Sequence, residues 1–420
     1  MKVLHVNTYE GNGGAGRACL RLNDALKAKG INSRVMTYFK FKESTVTTVF
    51  CKGYFQKTKA IMNILAERYL SKAVTKAVKI PFSLQWFGSS IVHNPLVKDA
   101  DIIHLHWINH GFLSPRFIGE LSALNKPIVW TFHDSNPLTG GCHVRYTCQG
   151  YLYECGNCPV LKKSSQNDFS HKTWKAKEKA YSKLNFHAIS PSSWMEKCVK
   201  EASLTKNHSG SVISNALDTD LFKPADKAAS RKELSINPSA KVILAGFMPS
   251  TDDRHKGLKE LQETIQHLCA DPNVDKDQLL LLFYGSNGEG VTLDIPIPYK
   301  FAGKIDNDDV LVKLYSSADV FLFPSIEESM GYTALESLSC GTPVAGFNTS
   351  GVTDVVIHKE NGYLAKLYDT KELSEGIKWI LDGADHAKLS SQARTWAVSK
   401  FDLQVIAAQH IALYDSLMKR

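Results

Sequence analysis

Short apolar runs alternate with stretches of helical spacing along the chain, and the alternation occurs in two separate series. In the first, residues 2–7, 33–38, 101–106 and 127–133 read as buried strands. A glycine-rich turn covers 11–16, and a helix over 17–29 places Ala18, Leu22, Ala25 and Leu26 on one face before stopping at Gly30. The second series has strands at 241–247, 278–284, 299–301, 319–323 and 343–347, with helix-length segments such as 257–270 and 373–381 between them. Strand–helix–strand units with near-continuous apolar strands build parallel sheets covered on both faces. The expected fold is α/β, with two doubly wound Rossmann-like domains.

Turn-like Ser190-Pro191-Ser192 and Ser214-Asn215-Ala216 lie between the series and place a boundary near residue 200. The expected domains are 1–200 and 201–395. A C-terminal segment, 396–420, has amphipathic spacing over 401–419 and is expected to pack back on the N-terminal domain. A length of 420 residues suits two such cores, and 43% hydrophobic with 22% charged residues is a globular composition.

No apolar run reaches about 18 residues, and the first residues enter a strand and turn without a leader-like segment, so a cytoplasmic protein is expected. The net charge of +8 favours anionic partners: nucleotide phosphates, an acidic lipid surface or nucleic acid. Nucleic acid is set aside, because no RNA-recognition motif, paired-histidine zinc finger or heptad zipper is present. Residues 52–80 are lysine-rich and helix-favouring, with Ile61, Ile64, Leu65 and Leu70 available for an apolar face. That pattern suits a helix at a membrane interface, and equally a surface helix whose stripe packs on its own domain.

The richest stretch for chemistry is 321–347. A strand ends at Pro324-Ser325, a loop carrying Glu328 and Gly331 follows, and a helix of about 332–340 containing Glu336 stops at Gly341. In an open parallel sheet, ligands bind beyond the carboxyl ends of the strands. Two carboxylates there are acceptors for sugar hydroxyls, and a side-chain-free residue at the helix start lets backbone amides approach a diphosphate. Lys256-Gly257 opens another helix, where an ammonium adds to the helix dipole and suits a departing diphosphate, with Arg254 two residues away. Gly13-Gly14-Ala15-Gly16 lacks the spacing of a nicotinamide fingerprint, and Thr37-Tyr38-Phe39 stands where its acidic residue belongs.

Pro324-Ser325, Glu328, Gly331, Glu336 and Cys340-Gly341-Thr342-Pro343-Val344 resemble the signature of the retaining glycosyltransferases of family four, which have the GT-B fold of two domains facing across a cleft. The likeness extends to the N-terminal glycine loop, to Asn215 with Asp218 and Phe222-Lys223-Pro224, and to Lys256-Gly257. Within that family the chain looks similar to colanic-acid-type and other surface-polysaccharide transferases. The resemblance implies that a nucleotide sugar is bound by Gly13, Gly14, Arg254, Lys256, Glu328, Ser329, Met330, Gly331 and Glu336. Glu328 would meet the donor sugar and Glu336 the ribose. His133, ending a strand beside Asp134, would assist the reaction with Lys256 and Glu328, and no metal would be required for catalysis. A glycan or lipid-linked oligosaccharide acceptor at the inner face of the plasma membrane is implied as well. The family's Gly-Arg after the first strand of the second domain is replaced here by Gly246-Phe247. The same fold also admits a sugar-nucleotide epimerase or a phosphorylase, and a non-catalytic glycan-binding protein is a further alternative. His104 and His106 alternate on one strand and read either as site residues or as satisfied core histidines.

Nine cysteines in a chain expected to be cytoplasmic read as reduced. Cys142, Cys148, Cys155 and Cys158 cluster within seventeen residues, enough for a structural tetrahedral zinc site, with disulfides the alternative.

Overall fold

Thirteen strands form two parallel sheets in a computed structural model that describes residues 1–11, 13–40, 47–76, 81–246 and 254–419. Asn12, Phe247 and residues 77–80 lie outside the described residues. The first sheet holds β1 (Lys2–Tyr9), β2 (Asn32–Phe39), β3 (Thr48–Val49), β4 (Ile102–Leu105), β5 (Ile128–Thr131), β6 (Phe186–Ser190) and β7 (Ser209–Val212), in the order β3-β2-β1-β4-β5-β6-β7. The second holds β8 (Lys241–Gly246), β9 (Leu279–Tyr284), β10 (Tyr299–Phe301), β11 (Val320–Phe323), β12 (Val344–Asn348) and β13 (Gly362–Lys366), in the order β10-β9-β8-β11-β12-β13. Both orders reverse direction once, at β1/β4 and at β8/β11. These are the switch points of doubly wound sheets.

The apolar runs become strands because successive side chains alternate between two covered faces. On β8, Val242 and Leu244 enter one core while Ile243 and Ala245 enter the other. On β11, Phe321 and Phe323 oppose Val320 and Leu322 in the same way. Each fully buried Leu, Ile or Phe contributes roughly 1.5–3 kcal/mol relative to exposure.

The units divide as Met1–Ala216 with Leu403–Arg420, and Leu217–Asp402. The boundary therefore falls at 216, not 200, because β7 pairs with β6 and extends the first sheet beyond the expected break. Residues 396–402 belong to the second unit, since the helix His386–Phe401 places Ala397 and Phe401 in its core. The following helix, Leu403–Met418, joins the first unit through Ile406, Ala407 and Tyr414. The Tyr414 hydroxyl lies 2.7 Å from His104 Nδ1. The glycine turn is shorter than expected: a helix already runs from Gly13 to Ala28, and Gly16 backs closely onto Gly11.

Candidate functional site

In the second unit the site grows from the two strands that flank the switch point. After β11 the chain enters the loop 324–331. After β8 it returns in the single turn Arg254–Lys256. Gly257 has φ +69°, and a β-carbon there would lie 2.0 Å from the Pro324 carbonyl oxygen, so only glycine lets these two loops meet. The Ile326 amide donates to the His255 carbonyl at 2.8 Å and stitches them further. The result is a direct bond from Lys256 Nζ to Glu328 Oε1 at 2.7 Å.

Backbone contacts fix Glu328 on its other side. Its amide donates to Ser350 Oγ at 2.9 Å, and its carbonyl accepts from the Gly351 amide at 2.9 Å. Burial alone would raise its carboxyl pKa, but Lys256, His255 and the Ser325 hydroxyl together hold it below the ordinary value. The site is thus an ionised carboxylate, 17% exposed, against an ammonium 41% exposed. Arg254 stands exposed on the same turn, adding charge. Ser329 is partly exposed and Met330 is buried beneath the loop. Gly331, at φ +94°, turns the chain into the helix Tyr332–Ser339.

Glu336 lies differently from Glu328. It is 2% exposed on the inner side of that helix, and Tyr315 donates to its Oε2 at 3.2 Å. Tyr315 is in turn 2.9 Å from the Tyr284 hydroxyl. Sequence reasoning missed these tyrosines and Ser350, for which no local pattern gives a signal: Tyr284 comes from β9, Tyr315 from the helix Asp308–Ser317 and Ser350 from the turn after β12.

In the first unit, His133 follows β5 and belongs to a hydrogen-bonded row of imidazoles. His133 Nε2 lies 3.0 Å from His106 Nδ1, and His106 Nε2 lies 2.9 Å from His5 Nδ1. His104 is held separately by Tyr414 and by Thr131 Oγ1, at 2.7 Å each. Burial lowers the pKa of His5 to about 3 and that of His133 to about 4, and drives His104 and His106 well below the usual value. All four are neutral imidazoles near pH 7. His104 and His106 are thus buried and bonded, and His106 also touches His133. A cavity of about 10 Å³, room for a single water, borders His106, His133, Asn215 and His410.

Asp134 is the other anchor. It accepts from Trp107 Nε1 at 2.8 Å and from the Asn136 amide at 2.8 Å, and its Oδ2 lies 2.6 Å from His143 Nδ1. Burial works against its charge, but His143 and these donors keep its carboxyl below the ordinary value. Gly13 and Gly14 stand exposed at the start of the helix after β1, with open space where a β-carbon would be.

Residues 226–396 match the family model described as Glycosyl transferases group 1. N-acetyl-alpha-D-glucosaminyl L-malate synthase of Bacillus anthracis is 25% identical over 215 residues, covering 49% of this chain and 54% of that protein. The chain thus spans about half the length of the curated relatives it matches. Sucrose-phosphate synthase from Thermosynechococcus elongatus superposes with a TM-score of 0.67 at 19% identity, covering 100% of both chains. HepE of Anabaena, solved in complex with UDP-glucose, gives 0.63 at 17% identity, covering 99% of this chain and 100% of that one. The chain therefore has the two Rossmann-like α/β units of the GT-B fold, and its second unit is similar to the group 1 glycosyl transferases.

Proposed function

We propose that this protein transfers a hexosyl group from a nucleotide sugar to a glycan or lipid-linked oligosaccharide acceptor, with retention of anomeric configuration, in the manner of family-four enzymes. The observation that carries the reading is the Lys256–Glu328 pair at the switch point of the second sheet. Arg254 and Lys256 supply fixed positive charge for a diphosphate leaving group, together with the amides that begin the helix after Gly331. Glu328, held ionised, accepts hydroxyls of the donor sugar. Glu336 braces the same helix from within, and meeting a ribose there requires exchange of its Tyr315 bond. His133 serves as a neutral hydrogen-bonding group, since its lowered pKa keeps it uncharged. Fixed cations take the part a catalytic metal plays elsewhere.

A cytoplasmic enzyme working at the inner membrane face is part of this proposal. The helix Tyr54–Val74 buries only Ala60, Glu67 and Ser71. The buried Glu67 anchors it, accepting from the Gln85 and Trp86 amides at 2.6 and 3.2 Å. Of the expected stripe, Ile64 and Leu70 pack inward, whereas Ile61 and Leu65 are exposed. Tyr54, Phe55, Met62 and Tyr69 are exposed too, Tyr54 by 81% and Phe55 by 87%, beside exposed Lys57, Lys59, Arg68 and Lys72. Aromatic and cationic side chains on one helix suit an anionic lipid surface. Among the described residues no helix is long and apolar enough to cross a membrane.

A thermal-shift panel of UDP-, GDP-, ADP- and dTDP-sugars tests the donor assignment, because ligand binding to the folded state raises apparent stability. One nucleotide class should stabilise the protein, and acceptor-dependent release of nucleotide should follow with that donor. Silence across the panel, or turnover without acceptor, rejects the transferase reading. Co-sedimentation with anionic but not zwitterionic vesicles, lost in Phe55→Glu, tests the membrane contact.

A further inference from the structure

The four-cysteine segment takes no part in the chemistry above, and it is built around its sulfurs. Cys142, Cys148, Cys155 and Cys158 are free thiols in the first unit. The Cys142 and Cys158 side chains are hydrogen-bonded to each other, and both Cys148 and Cys155 lie within electrostatic range of Cys142. Cys148 and Cys155 flank one glycine: a β-carbon on Gly150 would sit 3.7 Å from one sulfur and 3.9 Å from the other.

Backbone amides point at the sulfurs as well. The Gly140 amide donates to Cys155 Sγ at 3.1 Å, and the Val160 and Leu161 amides donate to Cys158. Amide donors of this kind stabilise sulfur that carries negative charge. Gly156, at φ +155°, makes the turn between Cys155 and Cys158, where a β-carbon would fall 2.5 Å from the Gln166 carbonyl oxygen. The fully buried Lys177 side chain, whose pKa burial lowers to about 7, is within electrostatic reach of Cys155 and Cys142 as well as of Asp134 and Glu67. Its hydrogen-bond acceptors are neutral, namely the Asn136 carbonyl and side-chain oxygens and the Thr139 carbonyl. A tetrathiolate metal site, which carries net negative charge, would add to the negative charge that already reaches this lysine.

We propose that Cys142, Cys148, Cys155 and Cys158 bind one zinc ion as a structural tetrathiolate site. The sulfurs are not closed to ligand spacing here: among the described residues, the group with three ligand atoms mutually within 4.8 Å is His5, Cys19 and His106. Zinc draws in the exposed Cys148, and each thiol releases its proton to solvent on binding. The ion then pins the loop that carries His143, and so holds Asp134 beside His133. Zinc binding does not depend on the proposed transfer reaction.

The experiment is metal analysis of the full chain purified under reducing conditions, followed by titration of metal-free protein with Co2+ alone. The expected result is about one zinc per chain and the thiolate-to-cobalt charge-transfer absorption of a tetrahedral sulfur site. Cys148→Ser and Cys155→Ser should lose the metal, while Cys269→Ser in the other unit retains it. If the variants do not fold, the cobalt spectrum of the unaltered chain still decides. Absence of bound metal with a cobalt spectrum lacking sulfur ligation, disulfides found by mass spectrometry, or iron with inorganic sulfide would each overturn the proposal.

Discussion

The two units share one topology at their switch points but differ in the chemistry gathered there. In the first, neutral imidazoles line the strands and the residues just beyond them, around the ionised Asp134: His5, His104, His106 and His133 are buried or half-buried, bonded to one another or to hydroxyls, and pushed away from protonation by burial. In the second, the corresponding loops carry an ion pair with an arginine beside it. A desolvated imidazole avoids charge, whereas Lys256 and Glu328 keep theirs because each has the other and both retain access to water. One sheet architecture thus holds a mostly buried, neutral imidazole row beside a single carboxylate in one unit and a solvent-accessible ion pair in the other.

The sharpest break in this contrast is at the ion pair. Lys256→Ala and Glu328→Ala should each lower transfer by about 10²–10³-fold, the size of effect seen when a single charge-stabilising group is removed. Circular dichroism should show the fold intact, and initial rates under saturating donor give the measure. Near-normal rates in both variants would remove the site assignment.

Gly257→Ala should be the next largest effect. The added methyl meets the Pro324 carbonyl oxygen and requires positive φ, which together should cost on the order of 2–4 kcal/mol in denaturant unfolding. Activity should fall with it, because the Lys256 turn is forced off the β11 loop.

Acid should then separate the units. The folded pKa values of His5, His133 and His410 lie at about 3, 4 and 4, against about 6.5 when unfolded. Between those limits the unfolded chain binds more protons, so stability rises with pH across the window and is lost as pH falls from about 6.5 towards 4. Hydrogen exchange at pH 5 against pH 7 should show weakened protection in β1, β4 and β5, with β8 and β11 little changed. Equal weakening in both sheets would contradict the contrast.

The smallest expected effect is at Tyr414→Phe. Loss of the hydroxyl leaves the buried His104 Nδ1 without that partner, at a cost of about 1–2 kcal/mol. Faster exchange confined to the helix Leu403–Met418 is the readout.

Much of this was legible in the chain because strands and helices announce themselves locally. The runs around β1, β2, β4, β5 and β8 to β12 stand out as apolar segments of strand length. By contrast, β7 (sequence Ser-Gly-Ser-Val) has none of the apolar content of a buried strand, and only pairing to β6 makes it one, which is why the boundary moved. The loop with Glu328 and the turn with Lys256 are each legible as a turn beside a glycine at a strand–helix junction. Their contact is not, since 72 residues separate them.

What the sequence determined by itself is the order and periodicity of the elements, and hence two parallel sheets with loops at their strand ends. The tertiary structure alone decided which charged and polar groups meet: Lys256 with Glu328, Tyr315 with Glu336, and His133 with His106 and His5. The physical reason is range. Periodicity and turn preference act over a few neighbouring residues, whereas ionisation and hydrogen bonding depend on burial and partners that arrive from distant segments once the sheet has closed around them.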